Sequence, residues 1–187
     1  RGVITKTVEK GIEPQSRARI VFAGPFQFTA QSRVAMRALG MMLEGRLGQV
    51  LREDQSGTYG VQVTPASQKI PDAEYQVAID FTCAPERTEE LVRMVFDEIA
   101  RFRANGPAAA EVEDIRRALL REYETNSREN RYVVSEIVSR IELGEDVRGI
   151  LQTPDLYRRL STGLIHDAAR TYLDPANYVR VTLVPEK

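Results

Sequence analysis

Alternating apolar and polar positions predict five β-strands. Residues 3–10 and 17–23 are short runs of β-prone residues, and GIEPQS between them has the Gly, Pro and Ser of a turn. Residues 59–64 and 75–82 alternate in the same way, with PASQKIPDAE as a long loop between them. The closing run NYVRVTLV also alternates. The pattern therefore predicts two strand pairs and one last strand.

Apolar residues at helical spacing predict a helical segment between the two strand pairs. These residues recur from Val34 to Leu51. Gly40, Gly45 and Gly48 interrupt the pattern, and a glycine in a helix interior costs about 1 kcal/mol relative to alanine. We therefore expect two helical pieces with a break near LEGRLG.

Helical patterns fill most of the chain after the second strand pair. The most regular one has Pro85 at its start, glutamates in its first turn, one apolar face, and Asn105-Gly106 at its exit. Three further helices are expected over residues 108–125, 129–143 and 154–172. The last of these is interrupted at LSTGL, where Thr162 can cap a second start.

The predicted fold class is α+β, with element order ββ-α-ββ-αααα-β. We expect a mixed, mainly antiparallel sheet with helices packed on one face, because each apolar face needs a second layer to cover it. A chain of 187 residues fits a single domain, which we place at 1–187. The chain begins directly in strand-like sequence, so we expect it to be a piece cut from a longer chain.

Charge and hydropathy disfavour two classes of partner. The chain has 26 Lys plus Arg against 27 Asp plus Glu, so no net charge draws it to nucleic acid or to an anionic membrane. It also lacks an apolar run of the roughly 18 residues that a membrane-spanning helix needs. We expect no nucleic-acid partner and no membrane span.

The residue types needed for most catalytic sites are scarce. His166 is the only histidine, which excludes a zinc site built from several histidines and leaves Cys83 with His166 as the only Cys-His pair that could be drawn. It faces away from the apolar stripe of its helix, so we expect an exposed side chain. Cys83, the only cysteine, is expected to be a half-buried, inert thiol. We assign the chain alone no catalytic residue, no metal and no cofactor.

Several segments, in their order and spacing, resemble the C-terminal-type domain of the insulinase/pitrilysin family of zinc metallopeptidases, the inverzincins. The resemblance runs the length of the chain. The segments are KTVEKGIEPQSRARIVFAGPF, EGRLGQVLRED, GTYGVQV, CAPERTEELVRMVFDEI, GPAAAEVEDIRRALLREYE, SRENRYVVSEI and YLDPANYVRVTLVPEK.

The resemblance implies a peptidase whose homologous domains close like a clamshell, with zinc held by an H-x-x-E-H motif in the N-terminal half. It also implies that the C-terminal half contributes an Arg and a Tyr to substrate binding. Arg52 and Tyr59 stand seven residues apart, as in that family. Both are hydrogen-bond donors suited to peptide carbonyl oxygens. Alternatively, Arg52 pairs with Glu53 or Asp54, and Tyr59 packs half-buried on the sheet.

The predicted function is that of the substrate-binding C-terminal domain of a bacterial-type zinc metalloendopeptidase, inactive as a fragment. Its expected partners are a peptide substrate and an N-terminal metal-binding half, in the same chain or in a partner subunit. The resemblance to this family favours the bacterial periplasm or cell envelope as the location of the protein. Two alternatives stay open: a non-catalytic homologue that serves a peptidase as scaffold or helper subunit, and an unrelated α+β binding module.

Overall fold

The computed structural model describes residues 2–53 and 60–186, with the backbone alone at Arg52 and Glu53. Within them, two strand pairs flank a long helix, and a run of helices leads to a last strand. The elements are β1 (Val3–Glu9), β2 (Ser16–Pro25), α1 (Ala30–Glu53), β3 (Val61–Gln68), β4 (Glu74–Cys83), α2 (Thr88–Asn105), α3 (Ala109–Asn126), α4 (Asn130–Glu142), α5 (Thr153–Arg158), α6 (Thr162–Tyr172) and β5 (Tyr178–Val184). Short 3₁₀ turns precede α2 and α5. The predicted α+β class and element order are confirmed, and the interrupted last helix is the pair α5 and α6.

The strands form one five-stranded sheet in the order β1-β5-β2-β4-β3. β1 pairs with β5 in parallel, and the other three pairings are antiparallel. Ile20 in the central strand β2 lies opposite Ile79 of β4 and Arg180 of β5. The prediction of a mixed, mainly antiparallel sheet is therefore confirmed.

Helices cover one face of this sheet. In β2, Ala18, Ile20 and Phe22 are fully buried, whereas Arg17 and Arg19, which point the opposite way, are exposed. Helices α1, α2 and α6 bring their apolar stripes to the buried face. The predicted one-sided helical layer is confirmed. The largest fully buried side chains of this core are Phe22, Phe102, Ile20, Leu39, Leu43, Leu47, Ile79, Leu91, Ile99, Leu119, Ile165 and Leu173.

The prediction that α1 breaks near LEGRLG was wrong, because one helix runs from Ala30 to Glu53. Leu39, Leu43 and Leu47 are fully buried along it, and burying a leucine contributes about 1.5–3 kcal/mol. That gain exceeds the helix-propensity cost of each glycine, which is about 1 kcal/mol. Tertiary packing therefore holds the helix through its glycines.

The loop of the second hairpin is shorter than predicted. β3 continues from Val61 to Gln68, and β4 begins at Glu74, so the loop is 69–73 rather than 65–74. Pro65 lies within β3, which a proline tolerates because β3 is an edge strand with one unpaired side. The predicted start of this strand at Tyr59 lies outside the described residues.

Three local expectations also need correction. The side chain that caps α6 is Ser161, whose Oγ accepts a hydrogen bond from the Leu164 N–H at 3.2 Å, and not that of Thr162. His166 is partly buried rather than exposed, because the end of α2 packs over it and its Nε2–H donates to the Arg103 carbonyl at 2.8 Å. Cys83 is fully rather than half buried.

Candidate functional site

The predicted substrate-binding pair belongs to the corner where α1 gives way to β3. Arg52 lies in the last turn of α1, which ends at Glu53, and β3 begins at Val61. The backbone of Arg52 thus stands at a helix end. Tyr59 and the Arg52 side chain lie outside what the structure describes, so the proximity of the two side chains stays a prediction.

Both sides of this corner are anchored in the core. Leu47 and Leu51 of α1 are buried under the sheet. The Val63 N–H of β3 donates to the Glu44 carboxylate of α1 at 2.8 Å. Gly60 enters β3 with φ +131°, a conformation that strains any other residue. The ends of the helix and of the strand are therefore held in fixed relation.

A groove runs along α1 and the edge strand β3 toward this corner. It consists of two adjoining cavities of about 370 and 380 Å³, and Met41 and Glu44 line both of them. We call it the α1–β3 groove. The described residues that line it are Arg33, Met36, Arg37, Met41, Glu44, Gly45, Gly48, Leu51, Gly60, Val61, Val63, Pro65, Ala66 and Ser67.

Two arginines at the far end of the groove are engaged in ion pairs. Arg33 donates to both carboxylate oxygens of Glu145, at 2.6 and 2.9 Å. These hydrogen bonds hold the pKa of Glu145 below its usual value. Arg37 donates to Glu122 at 2.6 Å and to the Tyr157 hydroxyl at 3.1 Å. The cationic end of the groove is thus neutralised by residues from other parts of the chain.

A separate ion-pair cluster fastens the opposite side of α1. Arg46 donates to Glu111 of α3 at 2.8 and 2.6 Å and to Glu98 of α2 at 3.3 Å. Its guanidinium also lies 4.4 Å from the centre of the Phe102 ring. The hydrogen bonds from Arg46 hold the pKa of Glu111 below its usual value. These contacts fix α1 from behind while its groove side stays open.

The described part of the chain does not fit a zinc site. Across residues 2–53 and 60–186, no group of three or more His, Cys, Asp or Glu side chains is placed to hold a metal ion. The two residues that zinc prefers most are already engaged: His166 bonds the Arg103 carbonyl, and Cys83 Sγ lies 3.5 Å from the Thr88 hydroxyl. Burial raises the pKa of the Cys83 thiol, which disfavours the thiolate that a metal requires.

A membrane-spanning helix is also missing from the described residues. None of the helices in that part of the chain combines the length and the apolar character that crossing a bilayer requires.

Sequence reasoning did not identify the α1–β3 groove. The glycines near Glu44 suggested a break in the helix, and this interpretation hid the spacing around them. In a continuous helix, Arg33, Arg37, Met41, Glu44 and Gly48 follow one another at intervals of three or four residues and share one face. That second stripe, beside the apolar one, is the signal that could have found the groove.

The fold first defines the class of protein. A five-stranded mixed sheet with helices on one face, in this element order, is the α+β architecture that the sequence pattern predicts. The family profile described as the Peptidase M16 inactive domain matches residues 2–119. The chain therefore belongs to this family, and the resemblance to the insulinase/pitrilysin metallopeptidases is confirmed.

Two curated relatives share the sequence at a low level. The zinc protease PQQL-like protein of Arabidopsis thaliana is 24% identical over 144 residues, which cover 72% of this chain and 15% of the relative. PqqL of Escherichia coli strain K12 is 24% identical over 160 residues, which cover 83% of this chain and 17% of the relative. The chain thus spans less than a fifth of the length of these curated relatives.

Solved structures share the fold at similarly low identity. The periplasmic protease PqqL from Escherichia coli matches with a TM-score of 0.87 at 21% identity, over 99% of this chain and 21% of that chain. A mutant of the ferredoxin protease FusC, in complex with Arabidopsis ferredoxin, matches with a TM-score of 0.87 at 17% identity, over 100% of this chain and 20% of that chain. The first half of PqqL, solved separately, also matches, with a TM-score of 0.76 at 12% identity over 98% of this chain and 42% of that chain.

Proposed function

We propose that this chain is the substrate-binding C-terminal domain of a zinc metalloendopeptidase and is inactive by itself. One observation carries the proposal: within a chain of the M16 family, α1 ends directly after Arg52 and β3 begins two residues after Tyr59. The corner that carries the pair is anchored on both sides, so it can present donors at a defined place on the domain surface.

The proposed role of the pair follows from its chemistry. The Arg52 guanidinium and the Tyr59 hydroxyl donate hydrogen bonds, and a peptide bond offers a carbonyl oxygen that gains negative charge during hydrolysis. Donors on one half of a clamshell reach a substrate on the other half only when the shell closes. Closure would therefore help to complete the site.

The proposed partner is an N-terminal half that holds zinc, its ligands and the general base. Curated relatives of this chain named as zinc proteases are about five times its length, which leaves ample sequence for such a half. The first half of PqqL itself contains a unit of this fold, which agrees with a peptidase built from homologous domains. Because PqqL is a periplasmic protease, we propose the bacterial periplasm as the location.

The proposed function is tested by peptide hydrolysis with this chain alone, with the N-terminal half of its own protein alone, and with the two together. We expect activity only in the mixture, and we expect a zinc chelator to abolish it. A folded, zinc-loaded mixture that cleaves no peptide would favour the helper-subunit alternative, in which the domain supports another peptidase chain.

The pair itself is tested by Tyr59→Phe and Arg52→Gln in the active mixture. If the donors act in the transition state, kcat falls by about tenfold or more, and KM rises by a smaller factor. Matched controls are Tyr132→Phe and Arg131→Gln on α4, which remove the same groups away from the corner. An effect confined to KM would instead assign the pair to ground-state binding.

A further inference from the structure

We infer that Glu44, at the middle of the α1–β3 groove, forms a subsite for a lysine or arginine side chain of the peptide substrate. The inference rests on the proposed function and deepens it, because it names the chemistry of the preferred substrate. The position of Glu44, the charges of the groove and its hydrogen-bonding groups carry the argument.

Position links Glu44 to the predicted substrate-binding pair. Glu44 lines both cavities of the groove, and the second of them ends at Leu51 and Gly60, at the α1–β3 corner. Along the helix, Glu44 precedes Arg52 by eight residues, or about 12 Å at 1.5 Å per residue. An extended peptide advances about 3.3 Å per residue. A peptide that contacts Arg52 therefore brings a side chain three to four residues away to Glu44.

Charge selects a basic occupant. Among the residues that the structure describes, the charged ones that line the two cavities besides Glu44 are Arg33 and Arg37, and acidic residues elsewhere in the fold pair with both. Among the side chains that the structure describes, Glu44 has no such ion pair with Lys or Arg, and its side chain is exposed. The carboxylate thus gives the middle of the groove a net negative charge.

At Val63 and Pro65, the β3 backbone next to Glu44 adds acceptors but no free donor. The Val63 N–H is taken by Glu44, and Pro65 has no N–H. The N–H and C=O of one residue point to the same side of an antiparallel strand, so the Val63 carbonyl, and that of Pro65 two residues on, face outward. A carboxylate with neighbouring carbonyls matches an ammonium or guanidinium group, which only donates. The same arrangement disfavours a full β-ladder with an added strand.

The walls of the groove fit the rest of a basic side chain. Met41 and Pro65 offer apolar surface for the methylene stem of a lysine or arginine. At Gly45, no atom of the described residues lies within 4 Å of the place where a Cβ would stand. A peptide backbone can therefore approach α1 closely at this point.

The test uses the complete, zinc-loaded protein and matched peptides that carry Lys, Gln or Glu at one position, scanned along the sequence. At one position of the scan, we expect kcat/KM for the Lys peptide to exceed that for the Gln peptide by about two- to fivefold. This position should lie three to four residues from the peptide residue that contacts Arg52. Glu44→Gln should remove this preference, and Glu44→Lys should transfer it to the Glu peptide. Because a glutamine oxygen still accepts from the Val63 N–H, Glu44→Gln keeps the fold. Glu13→Gln, an exposed change outside the groove, should keep the preference.

A binding measurement separates this inference from the proposed function. The same peptides, fluorescently labelled, are titrated onto the chelator-treated protein and followed by anisotropy. Binding that prefers the Lys peptide, and that loses this preference in Glu44→Gln, supports the subsite whether or not the protein cleaves peptides. If such a protein cleaves no peptide, only the peptidase function is overturned. An active enzyme that treats Lys and Gln peptides alike, or whose preference survives in Glu44→Gln, overturns the subsite and leaves the peptidase function standing.

Discussion

Gly40 of helix α1 lies directly against the ring of Pro65 in edge strand β3. A Cβ added at Gly40 would stand 2.6 Å from Pro65 Cγ and 2.8 Å from Pro65 Cδ, well inside van der Waals contact. A proline ring has little freedom to move aside. The close approach of α1 to the sheet edge at Pro65, one of the residues that line the α1–β3 groove, therefore requires a glycine at this position.

This contact predicts opposite effects for two alanine substitutions in the same helix. Gly40→Ala should destabilise the domain by about 1–3 kcal/mol, because the overlap with Pro65 forces α1 from the sheet. Gly45→Ala, where a Cβ meets none of the described residues within 4 Å, should stabilise it by about 0.5–1 kcal/mol through helix propensity. Urea unfolding of both variants gives the comparison. Effects of the same sign would show that the Pro65 contact does not control the packing.

Features of the fold that local sequence controls could be predicted from the sequence. The helix α2 begins after Pro85 and ends before Gly106, close to the predicted bounds. Its start, its apolar stripe and its end are all determined by residues that are close together in the sequence. Alternation in β2 and β5 likewise identified strands whose faces differ in burial. These signals depend on neighbours within one or two turns.

Features that depend on distant contacts could not be predicted. The continuity of α1 comes from buried leucines that outweigh its glycines, and the length of β3 comes from its pairing with β4 through Pro65. The burial of His166 depends on the end of α2, about 60 residues earlier in the chain. For the candidate site, resemblance supplied Arg52 and Tyr59, whereas the groove around Glu44 became visible only in a continuous helix.

The ion pair between Arg33 and Glu145 predicts pH-dependent stability. Hydrogen bonds from Arg33 lower the pKa of Glu145 in the folded state, relative to about 4.3 in an unfolded chain. A group with a lowered folded pKa stabilises the fold above its unfolded pKa, and this contribution is lost as pH falls through the folded pKa. Glu145→Gln should therefore be less stable than wild type near neutral pH, and the difference should shrink on acidification.

Urea unfolding of wild type and Glu145→Gln over a pH series measures this dependence. Glu13→Gln, in the exposed β1–β2 turn, is the control and should follow wild type at every pH. A stability difference that stays constant from neutral pH to below the glutamate range would mean that the pair does not cause the effect.

The buried thiol of Cys83 should be protected from reagents in the folded protein. It is fully buried, and burial raises its pKa, so both access and thiolate formation are disfavoured. We expect reaction with a thiol reagent such as DTNB to be slower by about a hundredfold or more than after unfolding in urea. Ser67→Cys, on strand β3 at the lining of the groove, provides a second thiol that should react quickly. Rapid modification of native wild type would contradict the packing around Cys83.

Arg46 should stabilise the domain more than an exposed ion pair does, because it connects three helices. It bonds Glu111 with two nitrogens, reaches Glu98, and stacks on Phe102. Arg46→Ala should cost about 2–3 kcal/mol, since both the charge contacts and the packing are lost.

Lysine at this position tests which property of Arg46 matters. A lysine keeps the charge but lacks the planar fork, so Arg46→Lys should recover about half of the loss in urea unfolding. Arg148→Ala removes an arginine whose side chain is 82% exposed, and it should leave stability nearly unchanged. If Arg46→Lys matched wild type, charge alone would account for the cluster. If Arg46→Ala matched Arg148→Ala, α1 would be held by its apolar face without help from Arg46.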